Sequence, residues 1–227
     1  MAGRVMYTGG IVTNGLVLNL DAGKQDSYPR SGTTWRDISG NGRNATLVNG
    51  PTFSNENAGS IALDGTNDYG TCNIPAGSAD FTYSIWMRRV STATGLLFVF
   101  GKYTDTVSRG CMLFIQNNIL AFRIGAAGSG FAQVTFSSPI TGSNWTNISV
   151  SVNRTSNALL YRNGVFDVQG DISSQQGNVP NLDYIGSLTG GNWFLNANLG
   201  TIQVYNRALS ATEISQNFNA LRGRYGI

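Results

Sequence analysis

The sequence predicts an all-β domain, a sandwich of about a dozen antiparallel strands with one short helix near the C-terminus. Three observations predict it. Short apolar runs recur along all 227 residues with polar interruptions, glycine is abundant at 29 residues, and charged residues make up only 12%. Two segments carry the residues of tight hairpins. The last stretch, GTIQVYNRALSATEISQNFNALRGRYGI, reads as strand, turn, capped helix and basic tail. At 41% hydrophobic the chain can bury a sizeable core.

Residues 1–13 contain glycine and lack a sustained pattern, so they are set apart as an arm or extra strand from one domain over 14–227. The first strand is Leu16-Val-Leu-Asn-Leu20. A polar passage then ends in a strand at 45–48, and another follows at 60–63. Phe81, Tyr83, Ile85 and Met87 alternate with Thr82, Ser84 and Trp86, which predicts a strand buried on one face only. The run LLFVF at 96–100 is continuously apolar and is expected to be covered on both faces. Segments 111–116 and 119–124 flank Asn117-Asn118, while 158–161 and Val165-Phe166 flank Arg162-Asn163-Gly164. Asparagine and glycine accept the positive φ that a two-residue hairpin demands. Further strands are expected at 131–136, 147–152, 184–185 and 202–205.

Ser210-Ala-Thr-Glu213 is a capping box, and Ile214, Phe218 and Leu221 recur on one face behind it. A helix is therefore expected at about 210–221. It leaves Arg222, Arg224 and Tyr225 beyond its end as a candidate docking element.

The composition excludes much chemistry. The chain has no histidine, so neither a Ser–His nor a Cys–His nucleophile is possible within it. Its only glutamates are Glu56, in a polar loop, and Glu213, in the helix cap. A glycosidase needs two carboxyl groups flanking one bond, so a non-catalytic protein is expected. Thirteen arginines and two lysines are scattered rather than clustered, which argues against nucleic-acid binding and leaves main-chain carbonyls or a neighbouring subunit as their partners. No apolar run approaches the roughly 20 residues of a membrane helix, so no membrane insertion is expected. The opening MAGRVMYTGGIVTNG lacks a continuous apolar segment, and no secretory signal is read there. Cys72 and Cys111 do not make a disulfide framework; both are expected in strands as small buried groups.

Two kinds of binding residue stand out. Trp35, Trp145, Trp193 and Tyr103 sit in or beside loops, where they are either core residues or a platform on which a sugar ring stacks. Asp21, and Asp64 with Asp68 in LDGTNDY, are the carboxylates available to a hard cation such as calcium; the favoured role of the last two is to build a turn.

Seven segments in order carry a resemblance: GLVLNLDAG, WRDISGNGRNATLVNGPTF, SIALDGTNDYG, FTYSIWMR, NWTNISVSVNR, LLYRNGV and GTIQVYNRALSATEI. Together they resemble the concanavalin A-like lectin/glucanase superfamily, and within it the laminin-G-like group. The resemblance implies a jelly roll of two large antiparallel sheets whose rim loops hold glycans or calcium in relatives. Calcium-binding members often carry an extra acidic residue after the first-strand Asp and an acidic pair in the last strand. This chain has Asp21-Ala22 and Thr201-Ile202-Gln203 there, so a tight calcium site is not expected. More narrowly, residues 15–53 and the closing ALRGRYG look like lectin-like proteins of tailed bacteriophages. That likeness implies a structural protein of a virion, a capsid decoration, head fibre or tail component, assembled in host cytoplasm. Its partners would be other virion proteins or copies of itself, with a trimer as the family habit, and host polysaccharide. The alternative is a glycan-binding module of a secreted or cell-surface protein, acting outside the cell; a glucanase-type hydrolase is the third reading.

Overall fold

The two ends of the domain lie side by side. In the computed structural model, which describes residues 9–74, 78–90, 95–104, 109–126, 130–141 and 143–227, the first strand pairs antiparallel with the last. The strands among these residues are, in chain order, β1 (Leu16–Asp21), β2 (Thr34–Trp35), β3 (Ala45–Val48), β4 (Thr52–Ser54), β5 (Ser60–Asp64), β6 (Tyr69–Ile74), β7 (Phe81–Arg89), β8 (Leu96–Thr104), β9 (Arg109–Gln116), β10 (Ile119–Gly125), β11 (Ala132–Thr135), β12 (Thr146–Val152), β13 (Asn157–Arg162), β14 (Val165–Asp171), β15 (Leu182–Ile185) and β16 (Asn196–Tyr205). One helix, α1 (Ala211–Arg222), follows them.

The strands form two antiparallel sheets of eight. One has the order β14-β13-β12-β7-β16-β5-β4, with β1 also paired to β16; the other runs β11-β10-β9-β8-β15-β6-β3-β2. We call them the β16 sheet and the β9 sheet. Leu18, Ile61, Tyr83, Ile85, Val150, Leu160 and Ile202 of the first meet Leu47, Ile74, Phe100, Leu113, Ile115 and Phe122 of the second in one continuous core. This is the two-sheet jelly-roll architecture expected, with more strands than the dozen predicted. Burial of such side chains stabilises by roughly 1.5–3 kcal/mol each.

Local chemistry sets the hairpins. Asn117 and Asn118 have φ of 51° and 67° between β9 and β10, and Asn163 and Gly164 have 52° and 74° between β13 and β14. Positive φ at both central residues matches the twist of the flanking strands. The helix starts where the capping box places it: Ser210 Oγ accepts from the Glu213 amide, and the Glu213 carboxylate accepts from the Ser210 amide.

One expectation needs correcting. The alternation in β7 implies cover on one face, but both faces are buried, because α1 and the tail fold across the outer face of the β16 sheet. Trp86 is consequently stacked under Phe218 and Tyr225, with ring centroids 5.6 and 4.1 Å away. Beside it lies a polar layer in which Asn147 and Ser149 donate to Ser84 Oγ. Residues 9–13 run over the same face: Gly10 O accepts from Gln216, and the Val12 amide donates to Asn217.

Candidate functional site

The helix and tail cover the middle of the β16 sheet; the outer face of the β9 sheet lies on the opposite side of the sandwich. Alternation along each strand puts Met112, Phe114, Ala121 and Phe98 there, because Cys111, Leu113, Ile115 and Leu120 face the core. On β6 the same rule turns Tyr69, Thr71 and Asn73 outward, since Cys72 and Ile74 face inward. Tyr184 of β15 stands opposite Thr71.

The turn between β15 and β16 folds against this face. Leu188 and Trp193 pack on Phe98, Tyr103 and Phe114, the Phe98 amide donates to Trp193 O, and the Leu188 amide donates to Asn192 O. Gly190, at φ 71°, lies so close to the Tyr69 ring that an added Cβ would come within 3.0 Å of it. Trp193 itself has φ 55°, in the left-handed region that bulky residues avoid.

The result is a partly open aromatic surface. Tyr69, Tyr184, Trp193 and Phe194 are all half-buried, and the Tyr69 ring lies 6.4 Å from that of Tyr184 and 6.5 Å from that of Phe194. At the other end Arg123 lies over three rings, 4.2 Å from the centroid of Phe131, 5.1 Å from Phe114 and 5.5 Å from Tyr103. Its Nε and Nη2 donate to Gln133 Oε1, which fixes the plane of the guanidinium. Phe131 is 49% exposed. The Tyr103 hydroxyl is buried under this layer without a hydrogen-bond partner. Aromatic faces beside planar polar groups are what a sugar ring needs: the rings stack on its C–H faces, and the amide and guanidinium meet its hydroxyls.

The four aromatic residues singled out in the sequence divide three ways. Trp193 and Tyr103 belong together on this face. Trp35 is wholly buried between the sheets, with no surface to offer a ligand. Trp145 packs against Tyr225, its Nε1 donating to Asn57, beside a cleft of about 540 Å³ lined also by Arg88, Arg162 and Asn144. Sequence reasoning missed Tyr69, Tyr184, Phe194, Arg123 and Phe131. The period-2 pattern of YGTCNI carried part of that signal.

The carboxylates do not converge. Asp21 lies opposite Thr201 and Asp64 opposite Asn196, five residues apart on β16 and so roughly 17 Å along it. Asp64 Oδ1 accepts from the amides of Thr66, Asn67 and Asp68, bonds that lower its pKa, with the Thr66 bond foremost. Asp68, buried, accepts from the Asp64 amide, and that burial raises its pKa. Asp21 is ion-paired to Arg224. No group of three or more acidic, His or Cys residues that could hold a metal occurs among the described residues. A calcium ion, which requires six to eight oxygens, does not fit these three side chains as they stand.

The tail residues are likewise engaged. Arg224 donates to Asp21, Asn57 O and Gly59 O, and Tyr225 is buried between Trp86 and Trp145. Of Arg222, Arg224 and Tyr225, only Arg222 is exposed.

The fold is shared with solved binding domains. The chain superposes on the binding domain of Paraclostridial Mosquitocidal Protein 1 with a TM-score of 0.74 at 20% identity, covering 92% of this chain and 52% of that one. The binding domain of botulinum neurotoxin DC in complex with rat synaptotagmin II gives 0.72 at 15%, covering 92% and 52%. The serotype D ligand-binding domain in complex with N-acetylneuraminic acid gives 0.73 at 14%, covering 91% and 51%. The chain thus spans about half the length of these structures, and at such identities the likeness is one of fold. No curated protein sequence matches it significantly. The laminin-G-like profile of the concanavalin A-like lectin/glucanases matches residues 63–215, more than half of the chain. From β5 through the start of α1, sequence and architecture therefore agree, and the chain belongs to the concanavalin A-like lectin/glucanases superfamily.

Proposed function

We propose that the chain is a non-catalytic, lectin-like module that binds glycans on the outer face of the β9 sheet. The observation that carries this reading is the half-open layer of Tyr69, Tyr184, Trp193 and Phe194, continued by Arg123 over Phe131. Aromatic side chains left partly open to solvent in one contiguous layer are candidate interaction surfaces. That solved neighbours of the same fold are described as binding domains, one of them holding N-acetylneuraminic acid, supports it. The non-catalytic part rests on the acidic groups: Glu56, Asp183, Glu213 and Asp21 are each paired with a cation, to Arg88, Lys102, Arg207 and Arg224 respectively. Of these, the Glu213 carboxylate, held well below its usual range chiefly by its hydrogen bond with Arg207, is a poor general acid.

The module's setting, in our reading, is a bacteriophage particle, as a decoration, head fibre or tail component that presents this face to host polysaccharide. The difference between the two sides of the sandwich supports this reading. The middle of one sheet is covered by α1 and the tail, while the other keeps its aromatic layer half open. Repeated copies would convert weak single-site binding into avidity. A second reading, a module of a secreted or surface protein, is favoured by the neighbours' description as toxin binding domains. Probing purified virions with an antibody to the chain separates the two. Its presence on particles supports the first, and its recovery only from culture medium supports the second. A glycan array probed with wild type and Trp193→Ala tests the binding reading shared by both.

A further inference from the structure

A second opening lies on the opposite sheet. Because Leu18, Leu20, Ile202 and Val204 face the core, their neighbours Asn19, Asp21, Thr201 and Gln203 face outward. These four form a square, Asn19 paired with Gln203 and Asp21 with Thr201 across β1 and β16. Outward polar residues on a sheet ordinarily meet water, yet these are 8%, 3%, 0% and 2% exposed, being overlaid by α1, the tail and residues 10–13. Asn19 Oδ1 and Gln203 Oε1 have no hydrogen-bond partner. Each unmet buried acceptor costs about 1–3 kcal/mol. Beside them opens a pocket of about 360 Å³, lined by Asn19, Asp21, Gln203 and Lys24 and, on its apolar side, by Ile11 and Leu221.

We propose that this pocket is a second carbohydrate site, one that takes a single pyranose and is separate from the aromatic face. The unpaired amides of Asn19 and Gln203 call for hydroxyl partners, and the two directly paired side chains stand about 5 Å apart at Cβ, within the span of one sugar ring. Ile11 and Leu221 meet the ring's C–H face, while Lys24 and Asp21 reach its rim hydroxyls. The Arg224 guanidinium beside Asp21 disfavours a cation in the same place. The volume equals about a dozen water molecules' share of liquid, far more than two unpaired amides hold in order.

The test is an NMR titration of the ¹⁵N-labelled chain with D-glucose, D-galactose, D-mannose and N-acetyl-D-glucosamine in turn, following the side-chain amides of Asn19 and Gln203. At least one sugar should shift both amides saturably. Gln203→Leu should weaken that binding about tenfold, the equivalent of 1.4 kcal/mol, while Trp193→Ala on the opposite sheet leaves it unchanged. If Gln203→Leu fails to fold, Leu221→Trp, which fills the pocket from the helix side, should give the same loss. Failure of every sugar to shift these amides up to its solubility limit would overturn the proposal. So would shifts that survive the substitution, or a structure with sugar present that shows only water in the pocket.

Discussion

Arg224 closes an ion pair with Asp21, a residue 203 positions earlier in the chain. The same guanidinium donates to the carbonyls of Asn57 and Gly59. One side chain thus ties the tail to the first strand and to the β4–β5 connection. Removing it leaves the 3%-exposed Asp21 without its cation. Arg224→Ala should therefore cost about 3 kcal/mol, lowering Tm by about 6–12 °C. Asp21→Asn should cost less, because the amide keeps an acceptor for Gly23. Thermal unfolding of both variants and their double checks this; a double variant no worse than Arg224→Ala shows that the two residues act as one unit.

The helix cap gives a pH dependence of known sign. Glu213, chiefly through its hydrogen bond with Arg207, has its pKa lowered from 4.5 to about 2. A carboxylate more acidic in the folded state contributes stability that is complete above the unfolded pKa. That contribution disappears as pH falls from about 4.5 to about 2. Its size is about 1 kcal/mol, the worth of a capping side chain at the solvent boundary. Urea unfolding at pH 7 should show Glu213→Gln less stable by about that amount. The gap should shrink steadily through the acid range, and a gap constant down to pH 2 would refute the assignment.

The contrast between Gly190 and Gly191 tests how tightly the β15–β16 turn is held on the aromatic face. Gly190 combines φ 71° with the nearby Tyr69 ring, whereas an added Cβ at Gly191 meets nothing within 4 Å. Gly190→Ala should cost about 1–2 kcal/mol, and Gly191→Ala should leave urea midpoints close to wild type. Equal effects would mean that the turn is free of Tyr69.

Cys72 and Cys111 are free and buried, and burial pushes both thiols up to about 12. Cys111 also contacts the Tyr83 hydroxyl at 2.9 Å in the core. The thiolate is the reactive form. Labelling with a thiol reagent at pH 8 should thus be negligible for the native chain and complete after unfolding in guanidinium. Rapid native labelling of Cys111 would contradict the packing described.

What the sequence disclosed was what short-range chemistry decides. Asn117-Asn118, Asn163-Gly164 and the Ser210/Glu213 box place their turns and cap by interactions within four residues, and the structure keeps all of them. β2 and β4, two and three residues long, carry too little pattern to be read. Trp86 was expected on an open face because alternation fixes which residues share a face but not what later packs upon it; α1, more than 120 residues downstream, decides that. The tail's fate was hidden for the same reason, since Asp21 and Arg224 find each other only once β1 and β16 are paired. The aromatic face was half legible. Trp193 and Tyr103 were picked out singly, but their union with Tyr69, Tyr184 and Arg123 depends on the strand order β10-β9-β8-β15-β6.

The central claim, a glycan site on the β9 sheet, is tested most directly by a glycan array probed with the wild-type chain and the Arg123→Ala/Trp193→Ala double variant at matched folded concentration. Arg123→Ala removes the group stacked on Phe131 and Trp193→Ala removes ring surface from the layer, both outside the sealed inter-sheet core. The account predicts saturable binding of the wild type to a defined set of glycans and a loss of at least about tenfold in the folded double variant, the effect of about 1.4 kcal/mol. Wild-type binding left undiminished in that variant, or no glycan bound at all, would contradict it.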